Sequence, residues 1–191
     1  MFLYIGGVPG VGKSTAINIL EAKAIQEKVK IKKMAGAPIL CELAGLKTAE
    51  ELRRLPEERR EKLRPKMYDI IYDILKQEPD ILWIFDGHFC YFDWSGKKFS
   101  VRSIQSWDKE LMAGIVVLTA RPETILSRRV ADKRLDRKLD IDFIKKEIEK
   151  EREAAISQSA ELNKPIVFLV NENGDAEKIA KNIIQLTREW M

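Results

Sequence analysis

The sequence predicts an α/β fold: a three-layer arrangement with a five-stranded parallel sheet of order 2-3-1-4-5 and helices on both faces. Strand-like apolar runs alternate with helical patterns throughout the 191 residues. Strands that are separated by helices favour parallel pairing through right-handed crossovers. The chain has no internal repeat and no linker rich in Gly, Pro or Ser, so we expect one domain over residues 1–191.

Five strands are expected. Residues 2–6 are apolar on both faces, which is typical of a central parallel strand. Residues 29–34 alternate charged and apolar side chains and indicate a more exposed strand. Three further apolar runs predict buried strands at residues 80–86, 114–119 and 165–170.

Helical patterns occupy the intervals between these strands. Thr48 and Glu51 have the spacing of a capping box, and Pro56 is suited to a first helical position. The expected helices cover residues 13–28, 37–44, 48–52, 56–77, 122–133, 142–162 and 175–190.

Two segments interrupt the alternation of strands and helices, residues 36–55 and residues 129–142. Both leave the carboxyl ends of strands, where open parallel sheets bind their ligands. We therefore expect mobile covers: an acceptor-binding cover over about residues 36–77, and a short lid over about residues 129–142.

The most specific motif is a phosphate-binding loop of the form G-x-x-x-x-G-K-[ST], which stands between the first strand and the first helix. Its glycines let backbone N–H groups turn toward phosphate oxygens, and the helix dipole adds positive potential at the same place. Lys13 is expected to reach the β- and γ-phosphates, and the Ser14 hydroxyl to hold Mg²⁺. A plain Gly-Pro-Gly turn would explain the glycines but not the Lys-Ser-Thr triplet behind them. The expected ATP-binding residues here are Gly10, Val11, Gly12, Lys13, Ser14 and Thr15.

A second acidic element follows the third strand, which ends in Asp86. A hydrophobic strand that ends in aspartate is typical of a Walker B element, whose carboxylate helps to hold Mg²⁺; alternatively, Asp86 caps a turn. His88 is the only histidine, and it is placed to contact a substrate phosphate, to bond Asp86 or to orient the acceptor. The aromatic residues 89–94 are suited to stacking on a base or to packing the loop onto the core.

Arginines are suited to phosphoryl transfer because their fork of donors matches phosphate geometry. Most of the 34 Lys and Arg residues must simply occupy solvated helix faces. An Arg-x-x-Arg pair inside a short lid is harder to explain in that way. The candidates outside the strand–helix pattern are Arg53, Arg128, Arg129, Arg134, Arg137 and Arg152.

The last expected strand is followed by residues 171–174, Asn-Glu-Asn-Gly. Asn and Gly favour a tight turn. Exposed backbone at Asn171 and Gly174 could also bind the edge of an adenine, and a plain turn explains the residues equally well.

Composition narrows the classes of partner. A net charge of +4 against 34% charged residues leaves no basic stripe that would make nucleic acid the main partner. No run approaches the ~20 apolar residues that span a bilayer, and the first apolar segment lacks the basic flank of a signal peptide. Cys41 and Cys90 have no metal-ligand spacing and are expected to be reduced, so a cytoplasmic protein is expected.

Taken in order, these motifs resemble those of the archaeal-type adenylate kinases, a branch of the nucleoside monophosphate kinases. The likeness covers nearly the whole chain, which carries the family's motifs in their order. One difference is that the family usually reads Asp-Thr-His where this chain has Asp86-Gly87-His88. The motifs that carry the resemblance are residues 7–15, 51–55, 86–88, 125–129 with Arg134 and Arg137, 152–155 and 171–174.

The resemblance implies a P-loop NTPase fold, ATP and Mg²⁺ at the phosphate loop, and AMP in the first cover with Arg53 on its phosphate. It implies that Arg129, Arg134 and Arg137 are lid arginines and that Arg152 clamps the transferring phosphoryl group. It also implies adenine near Asn171 and Gly174, and family members are often trimers.

Three functions are compatible with the residues. The first is a Mg²⁺–ATP-dependent nucleoside monophosphate kinase that prefers AMP and needs no general base. The second is a kinase of another small molecule, for which Asp86 is the candidate base. The third is an adenylate-kinase-like ATPase that acts as a ribosome-assembly factor.

Overall fold

The computed structural model describes residues 1–92, 96, 98–132 and 138–190, and for residue 53 the backbone alone. In chain order, the described residues form β1 (Phe2–Gly6), α1 (Lys13–Gln26), β2 (Ile31–Ala35), α2 (Gly36–Ala44), α3 (Ala49–Arg54), α4 (Glu57–Gln77), β3 (Leu82–Asp86), β4 (Cys90–Phe92), β5 (Phe99–Val101), α5 (Asp108–Leu111), β6 (Met112–Thr119), α6 (Pro122–Ala131), α7 (Ile141–Leu162), β7 (Ile166–Val170) and α8 (Ala176–Trp190).

The main sheet has five parallel strands in the order β2-β3-β1-β6-β7. This differs from the predicted order 2-3-1-4-5, because β4 and β5 pair as a separate antiparallel hairpin before the chain returns to the sheet. The predicted parallel α/β sheet is confirmed, and the intervening hairpin was missed.

Several predicted boundaries were also wrong by a few residues. The second strand begins at Ile31 rather than at residue 29, and β6 begins two residues earlier than expected, at Met112. The short helix α5 was not predicted. It begins at Asp108. The fully buried carboxylate of Asp108 accepts hydrogen bonds from the Arg102 guanidinium and from the backbone N–H of Gln105.

The core lies on both faces of the sheet because successive side chains of a strand point to opposite faces. Phe2 and Tyr4 of β1 face the layer that contains α4 and α7. Leu3 and Ile5 face the layer that contains α1 and α8. The result is a three-layer molecule with the sheet between two layers of helices.

The predicted capping box is present, whereas Pro56 is the N-cap of α4 and not its first helical residue. Thr48 and Glu51 form a reciprocal capping box at the start of α3. The Asp140 side chain accepts a hydrogen bond from the backbone N–H of Phe143 and caps α7. These caps fix where α3 and α7 begin.

None of the helices in the described part of the chain is both long enough and apolar enough to cross a membrane.

Candidate active site

A cleft of about 950 Å³ opens at the carboxyl ends of β1 and β3 and continues between α3, α4 and the residues around Lys138. This volume is at the upper end of the range for small-molecule sites. The phosphate loop lines one side of the cleft, and α2, α3 and α4 line the other.

The phosphate loop has the backbone conformation that its glycines predict. Gly7, Gly10 and Gly12 all have φ between 87° and 139°, in the region that favours glycine. Lys13 opens α1, and its buried ammonium group donates a hydrogen bond to the carbonyl oxygen of Gly7. Among the predicted ATP-binding residues, Gly10, Gly12, Lys13, Ser14 and Thr15 line the cleft, whereas Val11 is fully buried beneath it.

The carbonyl groups on the outside of the loop are held by side chains from elsewhere. The carbonyl oxygen of Val11 accepts hydrogen bonds from Arg128, at 3.0 Å, and from the Asn171 amide, at 2.8 Å. Arg129 donates to the carbonyl oxygen of Pro9 from Nε and from one terminal nitrogen, at 3.0 and 2.8 Å. Side chains of α6 and of the turn after β7 therefore help to fix the shape of the loop.

Arg129 lines the cleft, yet the prediction of a lid arginine needs correction, because its guanidinium is bound by protein groups. Its side chain is nearly fully buried. Besides Pro9, its guanidinium donates to the carbonyl oxygen of Lys138 at 3.1 Å and pairs with the Glu147 carboxylate at 2.6 Å. Because these partners occupy its donors, Arg129 joins the phosphate loop to α7 instead of extending toward a phosphoryl group.

The prediction for Arg152 is corrected as well. Its side chain is exposed, and its guanidinium lies 5.2 Å from the centre of the Phe168 ring. It is not among the described residues that line the cleft. One helical position earlier, the buried Glu151 accepts a hydrogen bond from the backbone N–H of Gly7 in the phosphate loop.

Three of the predicted arginines cannot be placed. Arg134 and Arg137 lie outside the described residues, and the side chain of Arg53 lies outside them too. Their roles remain predictions.

Asp86, the last residue of β3, and His88, on the connection that follows it, both line the cleft. The Asp86 carboxylate lies 3.4 Å from the ammonium group of Lys33 at the end of β2. The His88 Nδ1 lies 3.4 Å from the ammonium nitrogen of Lys13. The structure therefore brings the predicted acidic residue and the only histidine to the phosphate loop.

The residues present fit a magnesium ion that is bound together with a nucleotide. Ser14 and Asp86 line the same cleft and offer a hydroxyl and a carboxylate oxygen, which are ligands that Mg²⁺ accepts. No group of three or more His, Cys, Asp or Glu side chains that could hold a metal occurs in the described part of the chain. Phosphate oxygens and water molecules would therefore complete the coordination shell, which is usual for Mg²⁺.

Gly87 has a packing reason to be glycine. A Cβ atom at this position would lie 2.2 Å from the hydroxyl oxygen of Tyr4. That hydroxyl donates a hydrogen bond to the carbonyl oxygen of His88 at 2.9 Å, and the Tyr4 ring stacks on Phe85. Tyr4 thus occupies the space that a side chain at position 87 would need.

The turn after β7 lines the cleft together with the phosphate loop. Asn171 lines the cleft, but its amide is used to hold the phosphate loop, whereas Gly174 has φ of +88° and open space around it. The Glu172 carboxylate accepts hydrogen bonds from the Thr124 hydroxyl, at 2.5 Å, and from the backbone N–H of Arg121, at 2.7 Å. The bond from Thr124 is the main cause that lowers the pKa of Glu172 below its usual value.

Two arginines on the opposite side of the cleft were missed by the sequence analysis. Arg60 and Arg64 of α4 line the cleft, and each guanidinium lies 2.5 Å from a carboxylate oxygen of Glu57. The Arg64 guanidinium also lies 5.3 Å from the centre of the Tyr91 ring. The i, i+4 spacing of the two arginines was visible in the sequence, but nothing in this charge-rich helix indicated which face is turned to the cleft.

Comparison with known proteins agrees with this geometry. Residues 6–165 match a protein-family model that is described as an AAA domain. Two curated adenylate kinases match over almost their whole length. The protein from Sulfurisphaera tokodaii is 27% identical over 94% of this chain and 95% of its own, and that from Pyrococcus abyssi is 28% identical over 95% and 92%.

Solved structures show the same fold. Shikimate kinase from Bacteroides thetaiotaomicron superposes with a TM-score of 0.53 and 14% identity, over 98% of both chains. Shikimate kinase from Acinetobacter baumannii, in complex with shikimate, gives a TM-score of 0.54 and 17% identity, over 98% of this chain and 93% of that one. At these identities the likeness concerns the fold alone. The family match, together with the phosphate loop and the parallel sheet, shows that the chain belongs to the AAA domain family and is a nucleoside monophosphate kinase-like P-loop NTPase.

Proposed function

We propose that the protein is a Mg²⁺–ATP-dependent phosphotransferase whose acceptor is a nucleoside monophosphate, with AMP preferred, so that ATP and AMP give two ADP. One observation carries this proposal: a single cleft has a complete phosphate loop on one side and the paired arginines of α4 on the other. The cleft can therefore hold the phosphates of a donor and the phosphate of an acceptor at the same time.

On the donor side, loop N–H groups and Lys13 would bind the phosphates of ATP. Ser14 and Asp86 would hold Mg²⁺, which when bound neutralises charge on the phosphate oxygens. Lys13 is already oriented toward the cleft by the Gly7 carbonyl, and His88 lies beside it. Asn171 would act by keeping the loop in shape, and the open space at Gly174 would leave room for the adenine.

On the acceptor side, Arg60 and Arg64 both pair with the Glu57 carboxylate, and Arg64 also lies 3.9 Å from the carboxylate of Glu61, whose side chain is more exposed. A phosphate monoester is the kind of anion that such a pair binds well. Leu40, Leu52, Met67 and Phe85 line the same part of the cleft and would contact the base. Because a phosphate oxygen is already nucleophilic, no general base is needed.

The two covers complete the proposal. Residues 36–77 would close over the acceptor and residues 129–142 over the donor, which would exclude water from the transferring phosphoryl group. The names of the two curated relatives support an adenylate kinase. A homotrimer and a cytoplasmic location remain part of the same proposal.

The test is an assay of ADP formation from Mg²⁺–ATP with AMP, GMP, CMP, UMP, shikimate or no acceptor. We expect the highest kcat/KM with AMP. Arg53→Ala and Arg64→Ala should each raise KM for AMP by ~10-fold, the scale of one charge-assisted hydrogen bond, and leave KM for ATP nearly unchanged. Arg59→Ala is the matched control, since Arg59 is exposed on the same helix and does not line the cleft.

Other outcomes would replace the proposal. Turnover with a hydroxyl acceptor alone would indicate a small-molecule kinase with Asp86 as base. Slow ATP hydrolysis that no acceptor stimulates would favour an ATPase. Equal effects of Arg64→Ala on both nucleotides would remove α4 from the acceptor site.

A further inference from the structure

The carboxylate of Glu151 is buried in the middle of the molecule, where three backbone N–H groups surround it. It accepts hydrogen bonds from Gly7 at 2.7 Å, from Phe89 at 3.0 and 2.9 Å, and from Cys90 at 2.8 Å. These donors belong to two segments more than 80 positions apart in the chain. Glu151 therefore fastens the start of the phosphate loop to the connection after β3.

Both fastened segments flank the ammonium group of Lys13. The Gly7 carbonyl oxygen accepts a hydrogen bond from that ammonium, and Gly7 is the residue whose N–H is bound to Glu151. On the other side, the ring of His88 lies 3.4 Å from the same nitrogen, and Phe89, the next residue, donates to Glu151. One side chain thus fixes both backbone neighbours of the lysine.

Burial of the Glu151 carboxylate costs hydration free energy, and particular neighbouring groups offset part of that cost. Burial raises the pKa of Glu151, while the Phe89 N–H, the charge of Lys13 and the N–H groups of Cys90 and Gly7 act in the opposite direction. A buried charge is retained only where such partners offset its loss of hydration. Packing alone does not call for a carboxylate here.

We propose that Glu151 is a positioning residue for phosphoryl transfer, which holds Gly7 and the segment after His88 so that the Lys13 ammonium is aimed into the cleft. The kinetic test of this proposal rests on the proposed function, whereas the test of the position of Lys13 does not. Glu151 does not line the cleft and acts only through the groups that it holds.

The test compares Glu151→Gln with Glu149→Gln, a matched control because Glu149 is exposed on the same helix. A glutamine keeps one acceptor oxygen but turns an NH₂ group toward backbone N–H donors, so at least one of the contacts must be lost. We expect kcat for ADP formation to fall by at least ~10-fold, the scale of a misplaced transition-state contact. The Kd of a non-hydrolysable ATP analogue should change by less than about threefold, because the loop itself remains.

A purely structural role predicts a different pattern: a lower Tm, with kcat of the folded protein unchanged below that temperature. That result would overturn the proposal. If the parent protein phosphorylates no acceptor, the proposed function fails, and the position of Lys13 is then tested by NMR.

The NMR measurement follows the amide protons of Gly7, Phe89 and Cys90 and the side-chain ¹⁵N resonance of Lys13. In Glu151→Gln the three amides and the lysine resonance should all move, while Glu149→Gln leaves them in place. Should Glu151→Gln fail to fold, Glu151→Asp, which keeps the charge on a shorter side chain, serves in both measurements. A lysine resonance that is the same in the parent and in the Glu151 variant would refute the proposal.

Discussion

The pair formed by Gly87 and Tyr4 shows how a single residue can depart from a family pattern for a physical reason. The archaeal-type adenylate kinases that the sequence resembles usually have threonine between the aspartate and the histidine, and this chain has glycine. The Tyr4 hydroxyl fills the position of a Cβ at residue 87 and bonds the carbonyl oxygen of His88. The residue types at positions 4 and 87 are therefore expected to vary together among related proteins. Both residues line the cleft together with Asp86.

Gly87→Ala should lower the free energy of unfolding by about 1–3 kcal/mol, the usual cost of overpacking a core. The Tyr4 ring must shift, because its oxygen and its Cζ atom would lie 2.2 and 2.7 Å from the new methyl group. Urea denaturation of Gly87→Ala, Tyr4→Leu and the double variant measures the coupling. The double variant should lose less stability than the sum of the two single variants; strict additivity would contradict the steric explanation.

At the scale of elements, the phosphate loop depends on side chains from α6, α7 and the turn after β7. Arg129 and Asn171 hold its carbonyl groups, and Glu151 holds its first N–H. None of these links could be deduced from local sequence, since each partner lies more than 100 positions from the loop. The motif itself was identified correctly because its glycines and lysine are adjacent in the chain.

Arg129→Met is expected to reduce stability by about 3–5 kcal/mol, as is typical when one partner of a buried ion pair is removed. The variant loses the hydrogen bonds to Pro9 and Lys138 as well as the ion pair with Glu147. The control is Arg121→Met, since the Arg121 side chain is 76% exposed in its pair with Glu172; its effect should stay within about 0.5 kcal/mol. If Arg129→Met were as stable as the parent and merely inactive, the originally predicted role of a free lid arginine would be restored.

The hairpin of β4 and β5 shows where sequence patterns stop being informative. Each strand has only three residues, which is too short for a period-two pattern to be distinguished from a loop. The aromatic run was interpreted as stacking or packing, and part of it does pack: Phe92 contacts Phe99 across the hairpin and Phe143 of α7. The 22-residue helix α7 was predicted almost to the residue because its periodicity extends over enough positions.

For the whole molecule, the sequence was sufficient for the layers, the parallel sheet and the edge of the sheet at which the cleft opens. It could not show which charged residues turn inward. Arg60, Arg64 and Glu151 all lie on long helices that are rich in charge, where the expected position of any one of them is the solvated face. Their selection depends on how each helix is rotated against the sheet, which is decided by contacts with distant strands.

Ligand binding should stabilise the whole fold, because the cleft is bounded by elements from every part of the chain. A non-hydrolysable ATP analogue with Mg²⁺ at 100 times its Kd should add about 2.7 kcal/mol, which raises Tm by roughly 5–10 °C for a protein of this size. Lys13→Ala should lose most of this shift, and its phosphoryl transfer should fall by at least ~10²-fold. The control, Lys181→Ala on the exposed face of α8, should keep both; an unchanged shift in Lys13→Ala would remove Lys13 from the donor site.

The packing of α1 against α8 has a consequence for biosynthesis. Ile17 and Leu20 of the helix that carries the phosphate loop are buried with Ile183 and Ile184 of the last described helix, and the Trp190 ring covers Gly114 of β6. A ribosome makes α1 early and α8 after every other described element, so the apolar face of α1 stays uncovered while most of the chain is translated. The apolar face of α1 therefore cannot be buried against α8 until α8 itself has left the ribosome.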